Sequence, residues 1–369
     1  MVDVLPERPR KGRGAIGNPS GRYEPHARVG VDDGWSGADS GPDSGPGAED
    51  GRAPLRTTVE VDASRTVIVK NASPDLPFEL SINPYRGCEH GCAYCFARPG
   101  HAYLGLSPGL DFETRLFAKP RAAERLEAEL AKASYRPKVI ALGTNTDPYQ
   151  PIERNLGITR AILEVLWRAR HPVAIVTKSN LVLRDLDILA PMAAARLARV
   201  HVSVTTLDPA LARKLEPRAP RPRLRVETIA RLAEAGVPAG VLAAPMIPAL
   251  NDDELEAILE TCAGAGARTA GYILLRLPLE IKALFIEWLD AHFPERKKRV
   301  LALLRQTRGG RLYDPAWGTR MTGKGVYADL LARRFELASK RLGLNRPDWD
   351  LDTTQFIRPT PGGEQLVLF

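Results

Sequence analysis

Cysteine is scarce in this chain, with four among 369 residues. That is too few for a disulfide scaffold at such a length and points to a reducing compartment, so the cytoplasm is the expected location. Long hydrophobic runs are missing too. No stretch approaches the roughly 18 consecutive apolar residues of a membrane helix, and the opening Met1-Val2-Asp3-Val4-Leu5-Pro6 has no apolar signal core. Neither a membrane partner nor export is expected. No Gly-rich phosphate fingerprint follows the first apolar run, which removes the main support for a dinucleotide-binding sheet. Lys and Arg are absent from 31–50, where Asp32, Asp33, Asp39, Asp43, Glu49 and Asp50 cluster. The remainder is ordinary: 44% hydrophobic and 26% charged residues describe a globular protein, one large domain with appendages. Fifty-two basic against 44 acidic residues leave a net charge of +8, which favours anionic partners without naming one.

Residues 1–55 are rich in Gly, Pro, Ser and charge, and are expected to form a disordered tail or linker. Within them Lys11-Gly12-Arg13-Gly14-Ala15, Asn18-Pro19 and Arg22-Tyr23 make a compact, basic, turn-prone patch. Residues 56–280 are expected to be the core. From 78 onward short apolar runs at 78–82, 139–143, 173–177, 200–204, 240–244 and 272–275 alternate with helical patterns such as 155–170, 223–235 and 252–265. Asn251-Asp252-Asp253-Glu254 reads as the capping signal of the last of these. Near-continuous apolarity suits parallel strands covered on both faces, and the repeated βα order suits a barrel or part-barrel. After 280 three helical stretches, 281–293, 295–305 and 325–342, predict a C-terminal helical extension running with a polar tail to 369.

The strongest signal is Asn83-Pro84-Tyr85-Arg86-Gly87-Cys88-Glu89-His90-Gly91-Cys92-Ala93-Tyr94-Cys95, three thiols spaced C-x3-C-x2-C with Gly87 and Gly91 letting the loop curl. Three thiolates can meet there on one inorganic centre. Structural zinc wants a fourth ligand. Cys262, 167 residues beyond Cys95, is expected to be core filler instead, and His90 is crowded between two ligands. A zinc-containing, non-catalytic nucleic-acid-binding protein is the alternative reading, and a Cys92/Cys95 dithiol pair a weaker one.

The cysteine spacing, with Tyr94 just before the last thiol, resembles the signature of radical S-adenosylmethionine (radical SAM) enzymes. Asn83–Cys88, Gly143-Thr144-Asn145-Thr146-Asp147-Pro148-Tyr149, Thr177-Lys178-Ser179 and Ser203-Val204-Thr205-Thr206 resemble their spore photoproduct lyase-like branch. Gly12–Ala15 and Arg320-Met321 resemble an uncharacterised bacterial subgroup of it. The resemblance implies a partial (β/α)6 TIM-like barrel. It also implies a [4Fe–4S] cluster on Cys88, Cys92 and Cys95 with one iron free for S-adenosylmethionine, and a low-potential donor of flavodoxin or ferredoxin type. Reductive cleavage would then give a 5′-deoxyadenosyl radical that takes hydrogen from a substrate.

Strand-end residues Thr144, Asn145, Asp147, Lys178 and Ser203, together with Tyr94, would cradle the cofactor, since loops at the C-terminal face of a barrel carry its chemistry. The loop 144–147 lies where family members hold the methionyl amino group, although their Gly-Gly-Glu is absent. Lys178 suits the methionyl carboxylate as a point charge. The hydrogen-donating cysteine of spore photoproduct lyases has no counterpart between Val139 and Pro151. Tyr149 is the candidate to relay a hydrogen atom in its place. The run Arg213–Arg225 sets six cations against one acid, and Arg218 and Arg221 are candidates for binding a nucleic acid or other phosphate-bearing substrate. A second basic cluster, 296–299 with Arg305, Arg308 and Arg311, reads as a solvated helix face.

Overall fold

Each of the six apolar runs after residue 78 becomes a parallel strand. The computed structural model describes residues 8–27, 55–346 and 350–360. The acidic stretch 31–50, the rest of the expected tail at 1–7 and 28–54, and the end beyond 360 lie outside the described residues.

The strands are β1 (Thr58–Val61), β2 (Ile68–Lys70), β3 (Leu80–Ile82), β4 (Tyr85–Arg86), β5 (Arg115–Ala118), β6 (Ile140–Leu142), β7 (Val173–Thr177), β8 (Ala198–Ser203), β9 (Ala239–Met246) and β10 (Thr269–Leu274). The main sheet has the order β10-β9-β8-β7-β6-β3-β2. All neighbours from β3 to β10 are parallel, with Leu80 opposite Ile140, Ile140 opposite Val173 and Val200 opposite Ala239. Only β2 runs antiparallel, against β3. Each crossover adds the next neighbour on the same side, which is barrel order without a switch point. A small second sheet, β1-β5-β4, stands beside the start of the barrel. Its strands carried no apolar run to mark them; β1 is exposed along its whole length.

Helices cover the outside of the sheet. Ile158–Arg168 follows β6, Leu186–Ala194 follows β7, Pro222–Glu234 follows β8 and Leu255–Gly264 follows β9. Their buried faces, including Ile162, Leu166, Leu189, Ile229 and Ile258, form one apolar layer with Val173, Ile175, Val200, Val202 and Val241. That burial removes the strands from water and supplies most of the driving force for the barrel. The capping expectation at Asn251 is not met. Its side chain is fully buried, accepts the Ile247 amide at 2.6 Å and donates to the Thr205 and Pro245 carbonyls at 2.6 and 3.0 Å, so it joins the ends of β8 and β9.

The C-terminal helices are Ile281–His292, Pro294–Gln306 and Val326–Arg341. The first two share an apolar cluster with Ile16, Cys92 and Tyr94. The third lies on Leu255–Gly264 through Arg334–Glu256 and Arg341–Glu260 ion pairs. Arg308, expected on a solvated face, is buried instead. It donates to Thr319 and Arg320 carbonyls at 3.0 and 2.9 Å and to Leu274 and Leu275 carbonyls at 3.2 and 3.0 Å. The Leu274 amide of β10 donates to the Met321 carbonyl at 2.9 Å. Arg320 Nε then reaches Asp75 at 2.5 Å in the turn between β2 and β3. The stretch 318–321 thus bridges the two unpaired sides of the open barrel.

Candidate functional site

The cysteine loop leaves β4, whose two residues are pinned by antiparallel pairing with β5. Gly87 and Gly91 take φ of +76° and +66°, the left-handed turns that let three thiols sit on one short loop. The loop is closed by backbone bonds from Cys88 N to Phe112 O at 3.0 Å, Gly91 N to Cys88 O at 3.3 Å and Ala93 N to Leu215 O at 2.9 Å. Cys88, Cys92 and Cys95 are free thiols, the first two buried. Burial pushes all three up, Cys92 to about 12; beyond burial, Cys92 and Cys95 raise Cys88, and Cys95 raises Cys92. Such a set is suited to thiolate ligation by a strongly cationic centre, which alone would make three buried thiolates stable.

Among the described residues no three Cys, His, Asp or Glu side chains converge as a single ion requires. Mononuclear zinc holds its ligands at about 2.0–2.3 Å from one point. A four-iron cluster takes each thiolate on a different iron and asks for no such convergence. His90 does not complete a zinc set. Its Nδ1 faces Asp147 Oδ2 at 3.3 Å, and the ring is buried. Cys262 is fully buried among the apolar residues of helix Leu255–Gly264, where it packs as a small hydrophobe.

Beneath the loop lies a buried polar hub that the sequence reading did not name, centred on Glu216. This carboxylate is fully buried, accepts from Thr205 Oγ1 at 2.6 Å and from the Tyr94 hydroxyl, and forms an ion pair with Arg225. Lys178 Nζ stands 3.8 Å away and donates to Ser203 Oγ at 2.9 Å. Burial alone would push Glu216 up, but Arg225 and Lys178 hold it down to about 2. Tyr94, Lys178 and Ser203, expected to act together, are therefore in one network, and Lys178 lies 5.9 Å from the Tyr94 ring centre. Glu216 was legible as the lone acid in the run of six cations, and its partner Arg225 as the last of those cations.

The strand-end loop after β6 divides its residues. Asn83 Oδ1 accepts the Asn145 amide at 3.0 Å and Asn83 Nδ2 donates to Thr144 Oγ1 at 3.3 Å, so Asn83 shapes the loop at the barrel mouth. Asn145 itself is exposed. Asp147 is spent on the protein. It accepts from Thr177 Oγ1 at 2.6 Å, the Lys178 amide at 2.7 Å and the Tyr149 amide at 2.9 Å. Burial opposes its charge, but His90 and these donors hold it down to about 2. Tyr149 is buried and its hydroxyl donates to Asp185 at 3.1 Å, in a network with Arg184, Glu153 and Tyr85. That engagement, with a residue opening the helical layer, explains the aromatic as packing.

Arg218 and Arg221 separate as well. Arg218 pairs with Glu89 at 3.0 Å and lines a cleft of about 580 Å³ with His90, Arg154, Asn155 and Asn180. Arg221 is exposed at the start of helix Pro222–Glu234.

A family model described as the Radical SAM superfamily matches residues 82–262. An uncharacterised protein of Mycobacterium tuberculosis is 39% identical over 240 residues, covering 64% of this chain and 70% of that protein. An uncharacterised protein of Methanocaldococcus jannaschii is 28% identical over 214 residues, 58% of this chain and 76% of that one. Among solved structures, spore photoproduct lyase complexed with dinucleoside spore photoproduct aligns with a TM-score of 0.55 at 15% identity, over 78% of this chain and 80% of that one. A mutant of the same lyase with bound AdoMet and the dinucleoside aligns with a TM-score of 0.54. These structural likenesses concern the fold. No described helix is long and apolar enough to cross a membrane.

Proposed function

The chain belongs to the radical SAM superfamily and is a radical enzyme, and from that premise we propose that Cys88, Cys92 and Cys95 hold a [4Fe–4S] cluster whose open iron takes S-adenosylmethionine. The observation that carries this reading is the set of three free thiols on one short loop, set over the Glu216 hub. When bound, the reduced cluster would supply one electron to the sulfonium of S-adenosylmethionine, so that cleavage of S–C5′ would give methionine and a 5′-deoxyadenosyl radical for hydrogen abstraction.

The chain's own residues hold and orient. Lys178, fixed by Ser203 and Glu216, presents an ammonium charge for the methionyl carboxylate. Ser203 and Thr205 anchor on the Ala244 carbonyl at 3.2 and 3.1 Å, which sets the floor of the cradle. Asn83 keeps the 144–147 backbone at the mouth, where Thr144 and Asn145 would be available to hold the cofactor. Asp147 acts by positioning the Lys178 backbone. The electron comes from a low-potential carrier of flavodoxin or ferredoxin type, and the setting is cytoplasmic, in keeping with free thiols.

For the substrate we favour nucleic acid or another phosphate-bearing molecule. The support is the basic run following β8, of which Arg213, Lys214, Arg218, Arg221 and Arg223 are exposed while Arg225 is buried, and the shared fold with a lyase solved with a dinucleoside spore photoproduct. Tyr149 is not part of this proposal, because its hydroxyl is held by Asp185.

Anaerobic reconstitution tests the cluster. The wild-type chain should take up iron and sulfide, change its paramagnetic resonance spectrum on adding S-adenosylmethionine and form 5′-deoxyadenosine under reduction. Replacing any one of the three cysteines by Ala should abolish that product. A preparation holding zinc alone, indifferent to S-adenosylmethionine, would refute the reading.

A further inference from the structure

The basic patch near the N-terminus, singled out in sequence and left unused by the proposed chemistry, does not run free. Its residues 13–19 lie along the outer face of the cysteine loop. Glu113, fully buried, accepts the Gly14 amide at 3.0 Å and the Ala15 amide at 2.8 Å. Arg13 returns a bond to the Glu113 carbonyl at 3.0 Å and reaches the Leu55 carbonyl at 2.6 Å. Asn18 and Asp111 bond each other twice at 2.9 Å, and Ser107 Oγ donates to the Pro19 carbonyl at 2.5 Å.

The other partner of Glu113 is Arg98, also fully buried. Its Nε donates to the carbonyl of Cys92 at 2.9 Å, and its Nη1 to Gly109 and Pro108 carbonyls at 2.8 and 3.2 Å. One continuous chain of bonds therefore runs from the N-terminal backbone through a buried carboxylate and guanidinium to the backbone of a cluster cysteine. Contact is equally close. A Cβ on Gly14 would stand 1.6 Å from the Gly91 carbonyl oxygen, and Ile16 packs with Cys92, Ala93 and Tyr94.

We infer that residues 13–19, Glu113 and Arg98 form a latch that closes the solvent side of the cysteine loop and fixes the position of Cys92. Glu113 and Arg98 are positioning residues. The latch keeps water and oxygen from reaching the thiols by that face, in the apoprotein as in the loaded enzyme. Its role in protecting a cluster rests on the reading that the three cysteines hold one.

The full-length protein tests this without relying on turnover. In the apoprotein, alkylation by iodoacetamide followed by site-resolved mass spectrometry reads Cys92 against Cys262, which lies in a helix far along the chain and serves as the internal reference for global opening. Gly14→Val expels the segment from its seat, Glu113→Gln keeps the shape but loses the charge, and Asn18→Ala removes the anchor on Asp111. Loss of holding interactions worth one hydrogen bond raises local opening, and so Cys92 alkylation, about tenfold, with Cys262 unchanged. After anaerobic reconstitution the same variants should lose their iron–sulfide absorbance in air faster than wild type. Unchanged Cys92 alkylation in any folded latch variant would overturn the latch, as would a rise shared equally by Cys262 in all three. A wild type that protects Cys92 yet binds no iron would sink the cluster reading while leaving the latch standing.

Discussion

Glu216 shows how much a single buried carboxylate can decide. Four groups that the sequence scatters between positions 94 and 225, Tyr94, Lys178, Thr205 and Arg225, all turn to it. Its pKa is held down to about 2 by Arg225 and Lys178 against the effect of burial. A carboxyl whose folded value is depressed contributes stability above its unfolded value, about 4.3, and that contribution disappears as pH falls toward about 2. Glu216→Gln leaves Arg225 charged and buried without its counter-ion, a loss of about 3–5 kcal/mol. Urea unfolding should show a large drop at pH 7, and the variant should lose less further stability than wild type between pH 5 and pH 3. Equal acid sensitivity in the two proteins would show that Glu216 is not the group responsible. The three cysteines were plain from spacing alone, whereas the hub was not, because a lone acid among cations looks the same in sequence whether it is solvated or buried.

At the scale of elements, the six parallel strands were legible because each reads as a short, near-continuous apolar run, as suits strands covered on both faces. The strands β1, β2, β4 and β5 were not, since they are two to four residues long and stand outside the repeated βα order. The bridge 318–321 was equally invisible: its grip is a turn held by Arg308, Arg320 and backbone carbonyls, with no periodicity. It carries a prediction of its own. Arg320→Ala removes the part-buried ion pair to Asp75 and the bond to Ser73. The barrel should stay folded with a melting temperature lower by a few degrees, since a loss of about 1 kcal/mol moves a domain this large by roughly 2–4 °C or less. Limited proteolysis should now cut within 314–324, and resistance there equal to wild type would show that the bridge does not depend on Arg320.

For the whole molecule, the net charge of +8 becomes informative only after pairing is known. Arg225, Arg308 and Arg98 are buried and committed to the protein's own oxygens, so they offer nothing to a partner. Arg218 spends part of its charge on Glu89. If nucleic acid is the substrate, log affinity should fall linearly with log salt. Neutralising Arg218 and Arg221 together should flatten that line by at most about 1.8 for duplex DNA or about 1.4 for a single strand, at roughly 0.9 or 0.7 per phosphate contact. Binding that ignores salt in the wild type, or a slope unchanged in the double variant, would remove these two residues from the interface.

The sequence by itself determined the βα order, the helical C-terminal extension and the cysteine spacing, because periodicity and close spacing are local properties of a chain. The tertiary structure decided which of the polar residues meet. It turned Asp147 and Tyr149 inward to the protein, buried Glu216 on Arg225, and seated the N-terminal patch on Glu113, a hundred residues away. A buried charge requires a partner wherever the fold can bring one, and the sequence lists the charges without the distances between them.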